Sequence, residues 1–170
     1  MRQVHYSVAM SLDGYISGPN GEIDWILMDP EIDFGALMGR FDTLLLGRKS
    51  WEASRATGGA GMPGMKAHVF STTLKPEDTP GIAVSSQPEK TVIDLKRSAG
   101  KDIWLFGGGS LFRSLLGLGL VDIVSVAVIP VLLGGGVPLL PSPAATRRLK
   151  LLDHRVYSNT GTVWLEYAVQ

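Results

Sequence analysis

Apolar residues in this chain fall in short runs of strand length, bounded by glycine, proline or small polar clusters, and several runs lead into segments with helical spacing. Residues 4–10 alternate, with Val4, Tyr6 and Val8 on one face and His5 on the other, which predicts a first strand. Asp13-Gly14 and Pro19-Asn20-Gly21 are turn signals, so the following stretch is a long loop with a short extended piece at Tyr15–Ser17. Such a loop is either a lid or a plain surface hairpin. Asp29-Pro30 predicts a helix start, with Asp29 as N-cap, Glu31 and Asp33 in the first turn, and Phe34, Leu37, Met38 and Phe41 as the apolar stripe.

Further strands are expected at residues 42–47, 66–70, 82–84, 103–106 and 121–129, and helices from Arg48, over 89–99 and from Ser110. Residues 53–64, small and glycine-rich, read as a flexible connection, and residues 130–140 as a bend around Gly134, Gly135 and Gly136. Residues 149–157 and 162–169 form a hairpin about Ser158-Asn159-Thr160-Gly161. The alternation predicts one α/β domain over residues 1–170. It is a three-layer α/β/α arrangement on a mostly parallel twisted sheet, with an antiparallel C-terminal hairpin at one edge.

The strand ends carry the candidate chemistry. Phe106 closes one apolar run, Gly107, Gly108 and Gly109 follow, and Ser110 and Leu111 open a helix. Backbone N–H groups and the positive end of a helix dipole converge in such a turn, which suits a phosphate or pyrophosphate. Gly47 ends a second strand before Arg48, Lys49 and Ser50, and cations at a helix start are disfavoured unless an anion sits there. Ser71 and Thr72 end a third strand, where hydroxyls bind phosphate or cap a turn. In open α/β sheets ligands bind beyond the carboxyl ends of the strands, so three such ends on one edge point to an extended phosphorylated ligand such as a dinucleotide.

Composition narrows the classes. Lys plus Arg and Asp plus Glu number 16 each, so nothing predicts broad attraction to nucleic acid or an anionic membrane. Without cysteine there are no disulfides and no thiolate chemistry. His5, His68 and His154 have no ligand-spaced neighbours, so no metal site is expected. The most apolar region, residues 124–140, is broken by Pro130, Pro138 and glycines, and the N-terminus lacks a signal-peptide core; a cytoplasmic location is the expectation.

Three segments together resemble the dihydrofolate reductase-like superfamily: Val8-Ala9-Met10-Ser11-Leu12-Asp13-Gly14-Tyr15-Ile16, Leu46-Gly47-Arg48-Lys49-Ser50-Trp51-Glu52 and Phe106-Gly107-Gly108-Gly109-Ser110. A fourth, Ile129-Pro130-Val131-Leu132-Leu133-Gly134-Gly135-Gly136, resembles the branch containing the reductase domain of the riboflavin-biosynthesis deaminase-reductase and its stand-alone bacterial relatives. The resemblance implies NADPH as cofactor. Ala9 and Ile16 match the backbone positions at the nicotinamide carboxamide, Arg48 the cation facing the 2′-phosphate, and Ser50 the hydroxyl at the pyrophosphate. Ser71 and Thr72 match the residues around the adenosine phosphate, and Gly108, Gly109, Ser110 and Leu111 the pyrophosphate turn, flanked by Phe106 and Gly107. Lys49 either helps or faces solvent.

Two departures bear on substrate. True dihydrofolate reductases place an arginine after the Pro-Gly pair, whereas Met65 follows Pro63-Gly64 here. The carboxylate that faces the pterin is contested between Glu31 and Asp33. The expectation is therefore an NADPH-dependent reductase of a C=N or C=O group in a small, non-folate substrate. Asp33 or Glu31 would be the catalytic acid, and Trp25, Asp33 and Leu37 would line the substrate cleft; Trp25 equally fits a core anchor for its loop. The alternatives are 5-amino-6-(5-phosphoribosylamino)uracil reduction, low-level dihydrofolate reduction, or a non-catalytic nucleotide-binding module. A homodimer is expected from the resemblance and from the apolar strand at 121–129.

Overall fold

The computed structural model describes residues 1–56 and 62–170. In chain order the elements are β1 (Val4–Ser11), β2 (Tyr15–Ser17), α1 (Phe34–Gly39), β3 (Phe41–Gly47), α2 (Arg48–Ala56) and β4 (Lys66–Phe70). A 3-10 turn at Pro76–Asp78 leads to β5 (Ala83–Ser85), α3 (Pro88–Arg97), β6 (Asp102–Gly107), α4 (Gly109–Gly117) and β7 (Ile123–Ile129). The chain ends with β8 (Val137–Pro138), β9 (Leu149–Tyr157) and β10 (Thr162–Val169).

Eight strands make one sheet in the order β5-β4-β3-β6-β1-β7-β10-β9, and β2 pairs with β8 in a small second sheet. β5 through β7 are mutually parallel, so their C-terminal ends share one edge, while β10 runs antiparallel to both β7 and β9. The alternation of β1 decides the layers. Val4 and Tyr6 lie in a core with Val92 of α3 and Leu111, Phe112, Leu115 and Leu116 of α4. On the other face Phe41, Leu44, Leu46 and Trp104 pack with Trp51 of α2 and with Leu37 and Met38 of α1. Tyr6 stacks on Phe112 with ring centroids 3.8 Å apart, joining the central strand to α4. The three-layer α/β/α arrangement with its antiparallel edge is the one expected.

The first helix departs from expectation. It begins at Phe34 with Asp33 as N-cap, the carboxylate accepting the Ala36 N–H, and Phe41 belongs to β3. Asp29 is 2% exposed and committed elsewhere, accepting the Glu31 N–H and both the N–H and hydroxyl of Thr160 in the β9–β10 turn. A tertiary tether has claimed the residue that local sequence marks as a cap. The connection expected at 53–64 starts as helix, since α2 runs to Ala56; residues 57–61 of it lie outside the described part. The strand expected at 121–129 begins at Ile123. Within the bend at 130–140, β8 pairs with β2. Gly136 makes that approach possible, because a Cβ there would run into the Ser17 carbonyl and its φ is +143°.

Candidate active site

At the shared C-terminal edge, β3 and β6 are neighbours, so their two glycine turns meet. A Cβ on Gly47 would sit 3.7 Å from the Gly108 nitrogen, and one on Gly108 would sit 3.3 Å from Ser50 Oγ. Gly107 has φ +136°, the Gly107–Gly108 peptide is cis, and Gly108 stands at the N-cap of α4 with no side chain capping it. The first-turn N–H groups of α4, from Gly109 and Ser110, thus face a cradle bounded by Ser50 and kept shallow by glycine. Leu111 is buried behind it, and Phe106 packs edge-on against Trp104.

Next along the edge, a cavity of about 380 Å³ is lined by Arg48, Phe70, Ser71, Thr72, Thr73, Ser85, Ser86 and Pro88. Ser71 Oγ accepts the N–H groups of Thr73 and Leu74, at 3.1 Å and 3.0 Å, so it shapes this turn. Arg48 is about half exposed and pairs with Glu52 at 3.5 Å, a loose contact that leaves guanidinium donors free. Lys49 is exposed. Gly47, Arg48, Ser50, Ser71, Thr72 and Gly107 to Ser110 therefore lie along one continuous edge.

The other half of the edge belongs to β1, β7 and β10. Register places Ala9 beside Ala127 and Trp164, and Ser7 beside Ser125 and Glu166, on the sheet face that α1 shares. The loop before α1 crosses this face and is fastened at two levels. Near the top, Asp29 holds Thr160, and Glu31 reaches Arg155 at 3.3 Å and Asn159 at 3.4 Å. Lower down, Arg40 at the end of α1 reaches Glu166, Nη1 to Oε2 at 3.1 Å, and Ser125 Oγ donates to the same oxygen at 2.9 Å. Between the two fastenings the register sets Ser7, Ala9, Ser125, Ala127 and Trp164 side by side as a floor, of which Ser125 is buried and the others are partly exposed.

The expected catalytic and substrate residues divide around this floor. Asp33 caps α1 at the rim, exposed, with its Oδ1 bonded to Ala36. Glu31 is turned to the hairpin and exposed. Leu37 packs against the core cluster that holds Phe41 and Trp104. Trp25 is half-buried and donates its Nε1–H to the Glu22 carbonyl, which folds the loop on itself. Ile16 lies in β2, next to the β1 end that carries Ala9.

A buried polar group underlies the lower fastening. His5, 2% exposed, has Nδ1 at 3.5 Å from Arg40 and Nε2 at 3.3 Å from Asp102. Arginine can only donate, so Nδ1 accepts and the proton of the neutral ring sits on Nε2, facing the carboxylate. Burial first, and the Arg40 charge second, push the His5 pKa below its ordinary value. Asp13 is held low chiefly by the Ser11 hydroxyl, and it also accepts the N–H groups of Leu133 and Gly134, tying the first loop to the bend after β7.

Trp164, Glu166, Ser125 and Arg155 were not among the expected site residues. One signal for them exists in the sequence: Trp164 and Glu166 share parity on β10, and a carboxylate on an otherwise apolar strand needs a partner. Which strand β10 joins, and hence which cleft it floors, is not a local property.

The profile of the RibD C-terminal domain matches residues 2–163. The chain belongs to that family. It is 35% identical over 182 residues to the uncharacterized protein YyaP of Bacillus subtilis, covering 98% of this chain and 94% of that one. A protein of Shewanella sp. PV-4 named for riboflavin biosynthesis has the same fold, with a TM-score of 0.84 at 24% identity over 100% of this chain and 99% of that one. So does dihydrofolate reductase from Enterococcus faecalis complexed with NADP(H), with a TM-score of 0.71 at 16% identity over 99% and 96%. The proteins it is similar to thus range from an uncharacterized protein, in sequence, to a reductase, in fold. Among the described residues no helix is long and apolar enough to cross a membrane, and no three His, Asp or Glu side chains group as metal ligands.

Proposed function

We propose that the chain is an oxidoreductase that uses NADPH to reduce a C=N or C=O group of a small, non-folate substrate. The carrying observation is the junction of the β3 and β6 glycine turns beside the Arg48–Ser71–Ser85 cavity. An uncapped helix start, a floor that only glycine leaves open and a partly free guanidinium suit, in that order, a pyrophosphate, its close approach and a terminal phosphate. In this reading Gly107 to Leu111 and Ser50 hold the pyrophosphate, and Arg48, Ser71 and Thr72 hold the 2′-phosphate end. Ala9 and Ile16 border the nicotinamide, and Gly47, Lys49 and Phe106 complete the edge. When bound, NADPH supplies the hydride. The protein's part is to set an acceptor on the Ser7–Ala127–Trp164 floor against it, and orientation of this kind provides much of the rate gain.

Of the two candidate acids, Asp33 suits the proton step. It stands at the rim with one oxygen uncommitted and open to solvent, whereas Glu31 is paired with Arg155. The decisive experiment is titration with NADPH and NADH, in the wild type and in Arg48→Ala. A charge-assisted contact to the 2′-phosphate is worth about 1.5–3 kcal/mol, so NADPH binding should weaken by roughly 10- to 150-fold while NADH binding barely changes. Absence of NADPH binding at millimolar concentration would defeat the proposal. Binding without oxidation across a panel of imines, carbonyls and dihydrofolate would favour a non-catalytic nucleotide module.

The chain is further proposed to form a homodimer, through a different strand from the one first expected. β7 lies between β1 and β10 and offers no edge, whereas among the described residues β9 pairs with β10 alone and leaves its outer side open. That strand exposes Leu149, Leu151, Leu152 and Val156 at 43–61% and contains no proline, the features of an edge that invites pairing. An antiparallel match with a second copy about His154 would set Asp153 against Arg155 and Leu152 against Val156, complementary in charge and in apolarity. Sedimentation should give a dimer at micromolar concentration and a monomer for Leu152→Lys. A wild-type monomer overturns this reading.

A further inference from the structure

The cleft segments are unusual in charge. Between Arg2 and Arg40 there is no lysine or arginine, and the stretch carries Asp13, Glu22, Asp24, Asp29, Glu31 and Asp33. Two guanidinia reach the sheet face from outside that stretch, and both are already matched. Arg40 lies against Glu166, whose side chain is 12% exposed, with both nitrogens directed at the carboxylate and the Ser125 hydroxyl completing it. Arg155 pairs with Glu31 and stacks over the Tyr157 ring at 4.7 Å. Lys101, below the cleft, donates to the Gly39 carbonyl at the end of α1. The rim is apolar instead: Ile23, Leu27, Met28 and Phe34 are 58%, 55%, 59% and 39% exposed.

Resting on the reductase reading above, we infer that this cleft selects an uncharged flat ring and rejects phosphorylated or carboxylated substrates, with Glu166 as the specificity residue because it withholds Arg40 from any anion. An anion entering the cleft meets a segment that carries acids and no lysine or arginine, and the two guanidinia beside it, Arg40 and Arg155, are already paired, so it must give up hydration without a matching charge. A neutral ring gives up far less hydration than an anion, covers the rim side chains and rests on Trp164. Arg40, in turn, can serve an anion only if Glu166 lets it go, and a half-buried guanidinium–carboxylate pair with a supporting hydroxyl does not open cheaply.

The test compares two ligands that differ in one charge. Pterin and pterin-6-carboxylate would be titrated by their fluorescence into NADPH-saturated wild type, Glu166→Gln, and the Arg40→Gln/Glu166→Gln double variant. The wild type should bind pterin at least about tenfold more tightly than the carboxylate. Glu166→Gln frees Arg40 and should narrow or invert that ratio by strengthening carboxylate binding, and the double variant, with no cation to free, should not. Equal or tighter carboxylate binding by wild type overturns the inference, as does binding of neither ligand or an unchanged ratio in Glu166→Gln. Should Glu166→Gln fail to fold, the double variant, whose paired groups are both neutral, still tests it: carboxylate binding gained there contradicts the role given to Arg40. NADPH titration on the same samples separates the failures, because intact NADPH binding with reversed ligand preference removes this inference alone.

Discussion

Gly108 and Gly109 are adjacent and chemically identical, yet their surroundings give them different duties. A Cβ at Gly108 meets only the Ser50 hydroxyl, at 3.3 Å, and its φ of −87° suits any residue. A Cβ at Gly109 meets the Pro138 carbonyl at 2.9 Å and the Pro141 ring at 2.9 Å, neither of which can swing away. Gly108→Leu should therefore fold and weaken NADPH binding by tenfold or more, measured by fluorescence titration. Gly109→Ala should lower thermal stability by about 1–3 kcal/mol through overpacking, seen as a reduced midpoint in a denaturant melt. Unchanged NADPH affinity in Gly108→Leu would count against the cradle. The sequence made both glycines candidates for phosphate contact; it carries no sign that the bend after β7 returns to pack on α4, which is what separates them.

At the level of elements, the strands were legible because alternation and apolar runs report burial directly, and the core face of β1 came out as the pattern implies. α1 was not, because its cap is chosen by competition. Asp29 and Asp33 both carry capping chemistry, and Asp29 was the natural choice beside Pro30 until Thr160, distant in sequence, took its oxygens. One substitution separates two duties of Asp33. Asn caps a helix as well as Asp, so Asp33→Asn should leave stability within a few tenths of a kcal/mol. If Asp33 relays the proton, kcat falls by about a hundredfold or more. Glu31→Gln, which loses only an exposed pair, should change kcat little. A large kcat loss in Glu31→Gln with none in Asp33→Asn reverses the assignment.

Across the whole molecule, several groups make stability fall in acid. His5 and His68 both have pKa values pushed below 6.5, first by burial, so the unfolded chain takes up their protons while the folded chain still resists. Their contribution is complete above about 6.5 and is lost as pH drops toward their folded values. Burial works against the ionised carboxyls of Asp29 and Asp42, yet hydrogen bonds, from the Glu31 N–H and Thr160 to Asp29 and from the Lys101 N–H and Thr43 to Asp42, outweigh it. Both sit below 3.8, so a second loss follows as pH falls through their folded values. The melting midpoint should be flat from pH 8 to 7 and decline from there to pH 5, and His5→Gln should flatten part of that decline. A midpoint that rises on acidification would contradict the buried neutral imidazole. None of this could be read from composition, since zero net charge describes the sum and not which charges share a face.

β1 lies between the two halves of the proposed site and serves both. The cofactor edge is built from β3, β4 and β6, and the substrate floor from β7 and the hairpin strand β10, on the far side of β1. Mutational drift in the hairpin, or grafting one from a relative, can therefore retarget the chemistry without disturbing the cofactor grip. A fold divided this way is a platform on which evolution can change the oxidant half of a reaction while inheriting the reductant half unchanged.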